Sequence, residues 1–161
     1  MSYKRQVAQS PVGALVLVEK DRSLEGVIFQ SRWPKFSLRF QGYADVETPL
    51  LKEAKRQLAQ YFRAERRRFD LPIKLTGTAF QKKVWSALGK IPFGRTRTYK
   101  EQAASIRSPQ AVRAVGRTHG LNPLCIVLPC HRVLGSDGAL TGYAGGLGAK
   151  KFLLELEQAN S

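Results

Sequence analysis

Long apolar runs are missing from this 161-residue sequence. None approaches the roughly 20 residues that a membrane-spanning helix needs, so no membrane partner is expected. The opening stretch, MSYKRQVAQS, lacks the apolar segment of a secretory leader. The expected setting is cytoplasmic and reducing, and nucleoid-associated if the source is bacterial. Cysteine and histidine are scarce, at 2 residues each. Two cysteines make no disulfide framework, and Cys125 and Cys130 read as thiols. Acids are also few: 12 Asp and Glu stand against 27 Lys and Arg, a formal charge of +15. That excess points to a polyanionic partner, most often nucleic acid, although a basic solvated surface gives the same totals. The length suits one ordinary domain or two small lobes around a real hydrophobic core.

What is present divides into two patterns. GALVLVEK, LEGVIFQ and FSLRFQG are short, rich in Val, Leu and Phe, and read as strands. The short polar turn between the first two suggests an antiparallel hairpin. Helical spacing then runs over residues 49–66, through Leu50, Leu51, Ala54, Leu58, Tyr61 and Phe62. Its basic end, RAERRR, suits the negative pole of a helix dipole. FDLPIKLTG reads as a connection, placing an N-terminal lobe at residues 1–74 and a C-terminal lobe at 75–161. In the second lobe Thr78 and Gln81 are spaced as a capping box, and so are Thr98 and Glu101. RSP breaks the helix that Thr98 opens. Ser108 is placed to cap a third helix, PQAVRAVGRT, with Pro109 at its first position. Two short capped helices joined by a tight turn outline a helix-turn-helix.

On a wheel of the third helix, Val112, Val115 and Gly116 gather on one side, expected to face the core. Gln110, Ala111, Arg113, Ala114, Arg117 and Thr118 gather on the other. Two arginines among small residues would let such a helix approach a nucleic-acid groove closely. From Gln81 to Arg117 there are nine lysines and arginines against one acid, Glu101. A solvated basic face on a purely structural helix pair remains the bland alternative.

VLPCHRVLG, residues 127–135, sets Cys130, His131 and Arg132 side by side after a proline. As zinc ligands, His119, Cys125, Cys130 and His131 have the wrong spacing, and adjacent Cys130 and His131 diverge if extended. Haem attachment wants two residues between the cysteines, and here there are four. A buried filler suits Cys125 in LCIVL, but suits Cys130, between a proline and two polar groups, poorly. A nucleophile fits better. A free thiol, with a pKa of about 8.5, is mostly protonated at neutral pH, and a histidine base raises its thiolate fraction. Neighbours in sequence seldom face each other squarely, so a water is expected between Cys130 and His131. A carboxylate would hold the imidazole in the useful tautomer; Glu155 and Glu157 both stand in reach of that role.

Several segments together resemble the O6-alkylguanine-DNA alkyltransferase family. They are PCHRV, GYAGGLGAKKFLLELE, RAVG, the Asn122-Pro123 pair and GTAFQKKVWSALGKIPFGRTRTY, in that family's order and spacing. The likeness is strong over about residues 75–157 and weak before them. It implies an α+β fold of two lobes: an N-terminal antiparallel sheet with a helix, ribonuclease H-like, and a mostly helical C-terminal lobe with a helix-turn-helix. It implies irreversible, single-turnover transfer of an alkyl group from O6 of guanine, and O4 of thymine, to Cys130, without a cofactor or metal. Residues 1–118 contain no Cys or His for the zinc some relatives hold there.

The resemblance also assigns roles by position. His131 is the base through water, and Glu157 orients it. Tyr99 assists the leaving guanine, and Asn122 organises the active-site turn. Val133, Tyr143, Ala144, Gly145 and Lys150 are implied to bind the substrate. Arg113 fills the gap left by an everted nucleotide. Gln110, Ala111, Ala114, Gly116 and Arg117 are implied to meet the minor groove, which is only about 6 Å wide. The implied partner is double-stranded DNA containing O6-alkylguanine, bound by a monomer that can cluster on DNA. Thr118-His119, Arg95 and Ala144 depart from the family pattern. Two rivals have different signatures. A non-enzymatic binder of alkylated guanine would lack the acceptor cysteine, and a helix-turn-helix regulator would not carry PCHR, Asn122 and the late Glu in register.

Overall fold

A computed structural model describes residues 2–161. The chain divides into two compact units: one runs to Leu75 and takes in Pro123–Cys125, and the other comprises Thr76–Asn122 and Ile126–Ser161.

The first unit is built on a four-stranded sheet in the order β3-β2-β1-β4. Strands β1 (Lys4–Ala8), β2 (Leu15–Lys20) and β3 (Ser23–Phe29) are antiparallel; the two-residue β4 (Ala44–Asp45) joins β1 in parallel. The β2–β3 hairpin turns at Asp21 and Arg22, both left-handed at φ 50° and 62°, which matches the twist of the flanking strands. Residues Leu15 to Val18 are all buried, so this part of β2 reads as a continuous apolar run rather than an alternation. Val16, Val18 and Ile28 form a core cluster with Phe36 and Phe40. The other edge of β3 pairs with residues flanking Ile73 and Leu124. The connection FDLPIKLTG is therefore partly sheet edge. Cys125 is buried there, its N–H donating to Val27 O at 3.0 Å.

FSLRFQG is not a strand. Trp33–Phe36 forms a short helix, α1, and Ser37–Phe40 a 3-10 turn. Phe36 and Phe40, four apart, are buried together, while Leu38 is 71% exposed. Alternation would have put all three on one face. Helix α2 (Pro49–Phe62) starts with Thr48 accepting from Leu51 N. It ends four residues short of the expected residue 66, because Ala64 turns left-handed at φ 59°. The RAERRR charges lie at and beyond its end, with no base in the last turn, so the dipole does not account for them.

In the second unit, α3 (Ala79–Leu88), α4 (Tyr99–Ser105) and α5 (Val112–His119) pack on one another. Both capping boxes, Thr78/Gln81 and Thr98/Glu101, are formed. Trp85 is fully buried and donates to Thr118 O at 2.9 Å, fixing α3 to the end of α5. The turn between α4 and α5 uses Arg107 at φ 60°. The helix there does not begin at Pro109. Ala111 N donates to Ser108 O, closing a separate turn, and α5 starts at Val112 after an N-cap with no side-chain bond. Strands β5 (Arg97–Thr98) and β6 (Val133–Leu134) pair in parallel, and α6 (Leu147–Ala159) closes the unit.

Candidate active site

Cys130 lies in a 3-10 turn, Cys130–Arg132, that leads directly into β6. Pro129 precedes it and accepts from Arg132 N at 3.0 Å. Asn122 is 1% exposed; its amide donates to Leu128 O at 2.9 Å and to Cys130 Sγ at 3.4 Å. One side chain therefore pins the turn and contacts the sulfur. Cys130 itself is 5% exposed.

His131 is fully buried, with Nε2 2.7 Å from Glu157 Oε2. Among the described residues, Nδ1 finds no hydrogen-bond partner. Glu155 is exposed beside Lys151, so the geometry separates the two carboxylates that spacing alone left equal. Arg132, absent from the expected site, completes the arrangement. Its Nε donates to Glu157 Oε1 at 2.8 Å, Nη2 to Oε2 at 3.0 Å, and Nη1 to Ile91 O at 2.6 Å. Gly94 N adds a fourth donor to Glu157 at 3.1 Å. Burial pushes the Glu157 carboxyl up, but the hydrogen bonds from His131 and Arg132 outweigh it and hold it near 2. Burial lowers His131, and Glu157 only partly opposes this. The pair is thus a carboxylate and a neutral imidazole at neutral pH.

Tyr99 opens α4 with its phenol pushed up by burial, a hydrogen bond with Thr141 opposing. Its ring stands 5.3 Å from that of His119. Lys150 is wholly buried; Nζ donates to Val133 O at 2.7 Å and Thr141 O at 2.9 Å. It holds both ends of the segment after Cys130 through their backbone, and its cation lies 5.9 Å from the Tyr99 ring. Tyr143 is edge-on to His131 at 6.3 Å. Ala144 and Gly145 are half-buried in the turn that Gly146 N closes on Tyr143 O. Val133 is buried, with its carbonyl occupied by Lys150.

On α5, Arg113 and Arg117 are exposed, as is Gln110 before it, while Ala111, Ala114 and Gly116 are half-buried. Three wheel assignments change. Thr118 is buried, donating to Ala114 O at 2.8 Å. Val112 and Gly116 line an open cavity of about 410 Å3 with Tyr99, and only Val115 enters the core. Among the described residues no three His, Cys, Asp or Glu side chains converge as metal ligands.

The profile of the 6-O-methylguanine DNA methyltransferase DNA-binding domain matches residues 79–159, half of the chain. The chain belongs to this family. The ribonuclease-like domain of the same methyltransferases matches residues 3–75 of this 6-O-methylguanine DNA methyltransferase family member. It is 47% identical over 156 residues to the methylated-DNA–protein-cysteine methyltransferase of Methanosarcina barkeri, covering 96% of each chain. It is 46% identical over 153 residues to the constitutive enzyme of that name from Bacillus subtilis, covering 94% of this chain and 93% of the relative. The crystal structure of the Mycobacterium tuberculosis O6-methylguanine methyltransferase superposes with a TM-score of 0.88 at 39% identity, covering 99% of this chain and 94% of that one. The structure of the mycobacterial protein in complex with DNA gives 0.86 at 39% identity, over 100% and 95%.

Proposed function

We propose that this family member repairs DNA by moving an alkyl group from O6 of guanine onto Cys130, once per molecule. The observation that carries the reading is the buried series Asn122, Cys130, His131, Glu157, with the thiol held at one end and an ionised carboxylate at the other.

An ionised carboxylate only accepts hydrogen bonds, so Glu157 fixes the proton on His131 Nε2 and leaves the Nδ1 lone pair as the base. His131 takes the Cys130 proton, through a water. The thiolate attacks the saturated carbon, the S–C bond forms, the C–O bond breaks, and the electron pair passes to O6. Tyr99 donates toward the purine so that neutral guanine leaves. The thioether has no route back to thiolate, which makes the transfer final. Lys150 acts through the backbone of Val133 and Thr141 rather than by touching the base, keeping the segment with Tyr143, Ala144 and Gly145 in place.

DNA is the partner. The target atom is inaccessible in a duplex, so the nucleotide is rotated out at a cost of a few kcal/mol. The small residues Ala111, Ala114 and Gly116 beside exposed Gln110, Arg113 and Arg117 favour entry of α5 into the narrow minor groove. Arg113 fills the gap in the stack. O4 of alkylated thymine offers a similar acceptor geometry and is a second substrate. The protein acts as a monomer in the cytoplasm. Among the described residues, no helix is long and apolar enough to cross a membrane.

Incubation with a duplex containing O6-methylguanine, followed by mass measurement, tests this. One added methyl per chain, located on Cys130, is expected. Lesion binding without any mass change would instead make the chain a damage binder.

A further inference from the structure

Among the described residues, His119 is buried without a hydrogen-bond partner. It is 6% exposed, and neither ring nitrogen makes a hydrogen bond. Native proteins retain few such groups, because an unmade buried hydrogen bond is costly. Its position gives the reason. Val112, Gly116 and His119 follow one another at i, i+4 and i+7 along one face of α5. The first two line the cavity beside Tyr99. His119 continues that face inward, its ring against the ring of Tyr99. The charge of Lys150, whose amine spans Val133 and Thr141, also acts on it.

We infer that His119 hydrogen-bonds the purine that Cys130 dealkylates, fixing its plane against Tyr99. This rests on the alkyltransferase reading above. The ligand class follows from the state of the ring. Burial, reinforced by the Lys150 charge, lowers the imidazole to about 4, so it meets its partner uncharged. A phosphate would favour a cation. A neutral imidazole offers one N–H and one lone pair, which suits the edge of a heteroaromatic base that carries donors and acceptors.

The test compares methyl-transfer rates of the native chain and His119→Phe, with an O6-methylguanine duplex and with the free base. Phenylalanine keeps the ring and removes both nitrogens. Transfer is expected to fall about tenfold with both substrates, the loss of one net hydrogen bond. The melting temperature is expected to stay level or rise, because the unpaired polar group is gone; a packing role would lower both together. His119→Asn, which restores a donor and an acceptor, is expected to recover most of the rate. If the phenylalanine chain does not fold, His119→Leu is judged by the same ratio. An unchanged rate would overturn the contact, and so would a loss confined to the duplex, which would put the contact on the sugar-phosphate backbone. A native chain that takes up no methyl at all would overturn the activity itself; methyl uptake by the native chain beside an equally fast His119→Phe would overturn only the contact.

Discussion

Glu157 gathers donors from three places in the chain: the His131 ring, the Arg132 guanidinium and the Gly94 amide. Removing one member of such a buried set strands the others. Arg132→Met is expected to cost about 3–5 kcal/mol of stability, since it leaves a buried carboxylate short of its countercharge. Urea unfolding at neutral pH measures it. Glu157→Gln differs in kind. Its amide can donate to Nε2 and shift the imidazole proton to Nδ1, removing the base while a hydrogen bond remains. Transfer is expected to slow by about 100-fold, read from the rate of methyl uptake in a chain that still binds the lesion. At this scale the sequence was uneven. PCHRV carried Cys130 and His131 openly. Arg132 lay in the same five letters, yet a base after a histidine reads as surface charge until the buried carboxylate opposite is seen. Lys150 was implicated for the substrate, but its contacts are to the carbonyls that shape the segment.

Among the elements, the capping boxes were legible because a box is local: Thr and Gln or Glu three apart satisfy each other's backbone whatever packs outside. Segment 36–40 was not, because its short apolar set fits both periods and only burial of Phe36 and Phe40 without Leu38 decides. β1 escaped for the opposite reason: KRQVA has little apolar signal and is a strand because β2 and β4 pair with it. The start of α5 was misplaced because Ser108 and Pro109 form a turn of their own, whose closing bond is backbone to backbone. The boxes also permit a paired experiment. Thr78→Ala and Thr98→Ala each remove an N-cap, and each is expected to cost about 1 kcal/mol. Only Thr98 precedes Tyr99. Thr98→Ala is therefore expected to slow transfer in the folded protein, while Thr78→Ala lowers stability alone; melting curves and methyl-uptake rates on the same samples separate the two.

At the scale of the whole molecule, the +15 charge implies phosphate-dominated binding that salt weakens. Affinity for undamaged duplex is expected to fall tenfold or more between about 50 and 200 mM salt, measured by fluorescence anisotropy. Protons act on the folded state in the other sense. Burial holds His119 near 4 against an ordinary 6.5 and also lowers His131; the net pull on Glu157 keeps it near 2 against 4.5. All three are depressed, so the unfolded chain binds more protons as pH falls. The histidine contributions are complete above about 6.5 and fade as pH drops, His119's through about 4; that of Glu157 is complete above about 4.5 and fades toward about 2. Glu25, raised by burial, contributes with the opposite sign. Comparison with His119→Phe cancels every group but one. Relative to the native chain, the variant is expected to gain about 3 kcal/mol between pH 7 and pH 4, from a displacement of some two and a half pKa units. Urea unfolding across that range reads the gain directly. Parallel stability curves for the two chains would mean that the His119 ring accepts its proton in the folded protein as easily as in water, and that its burial carries no charge penalty.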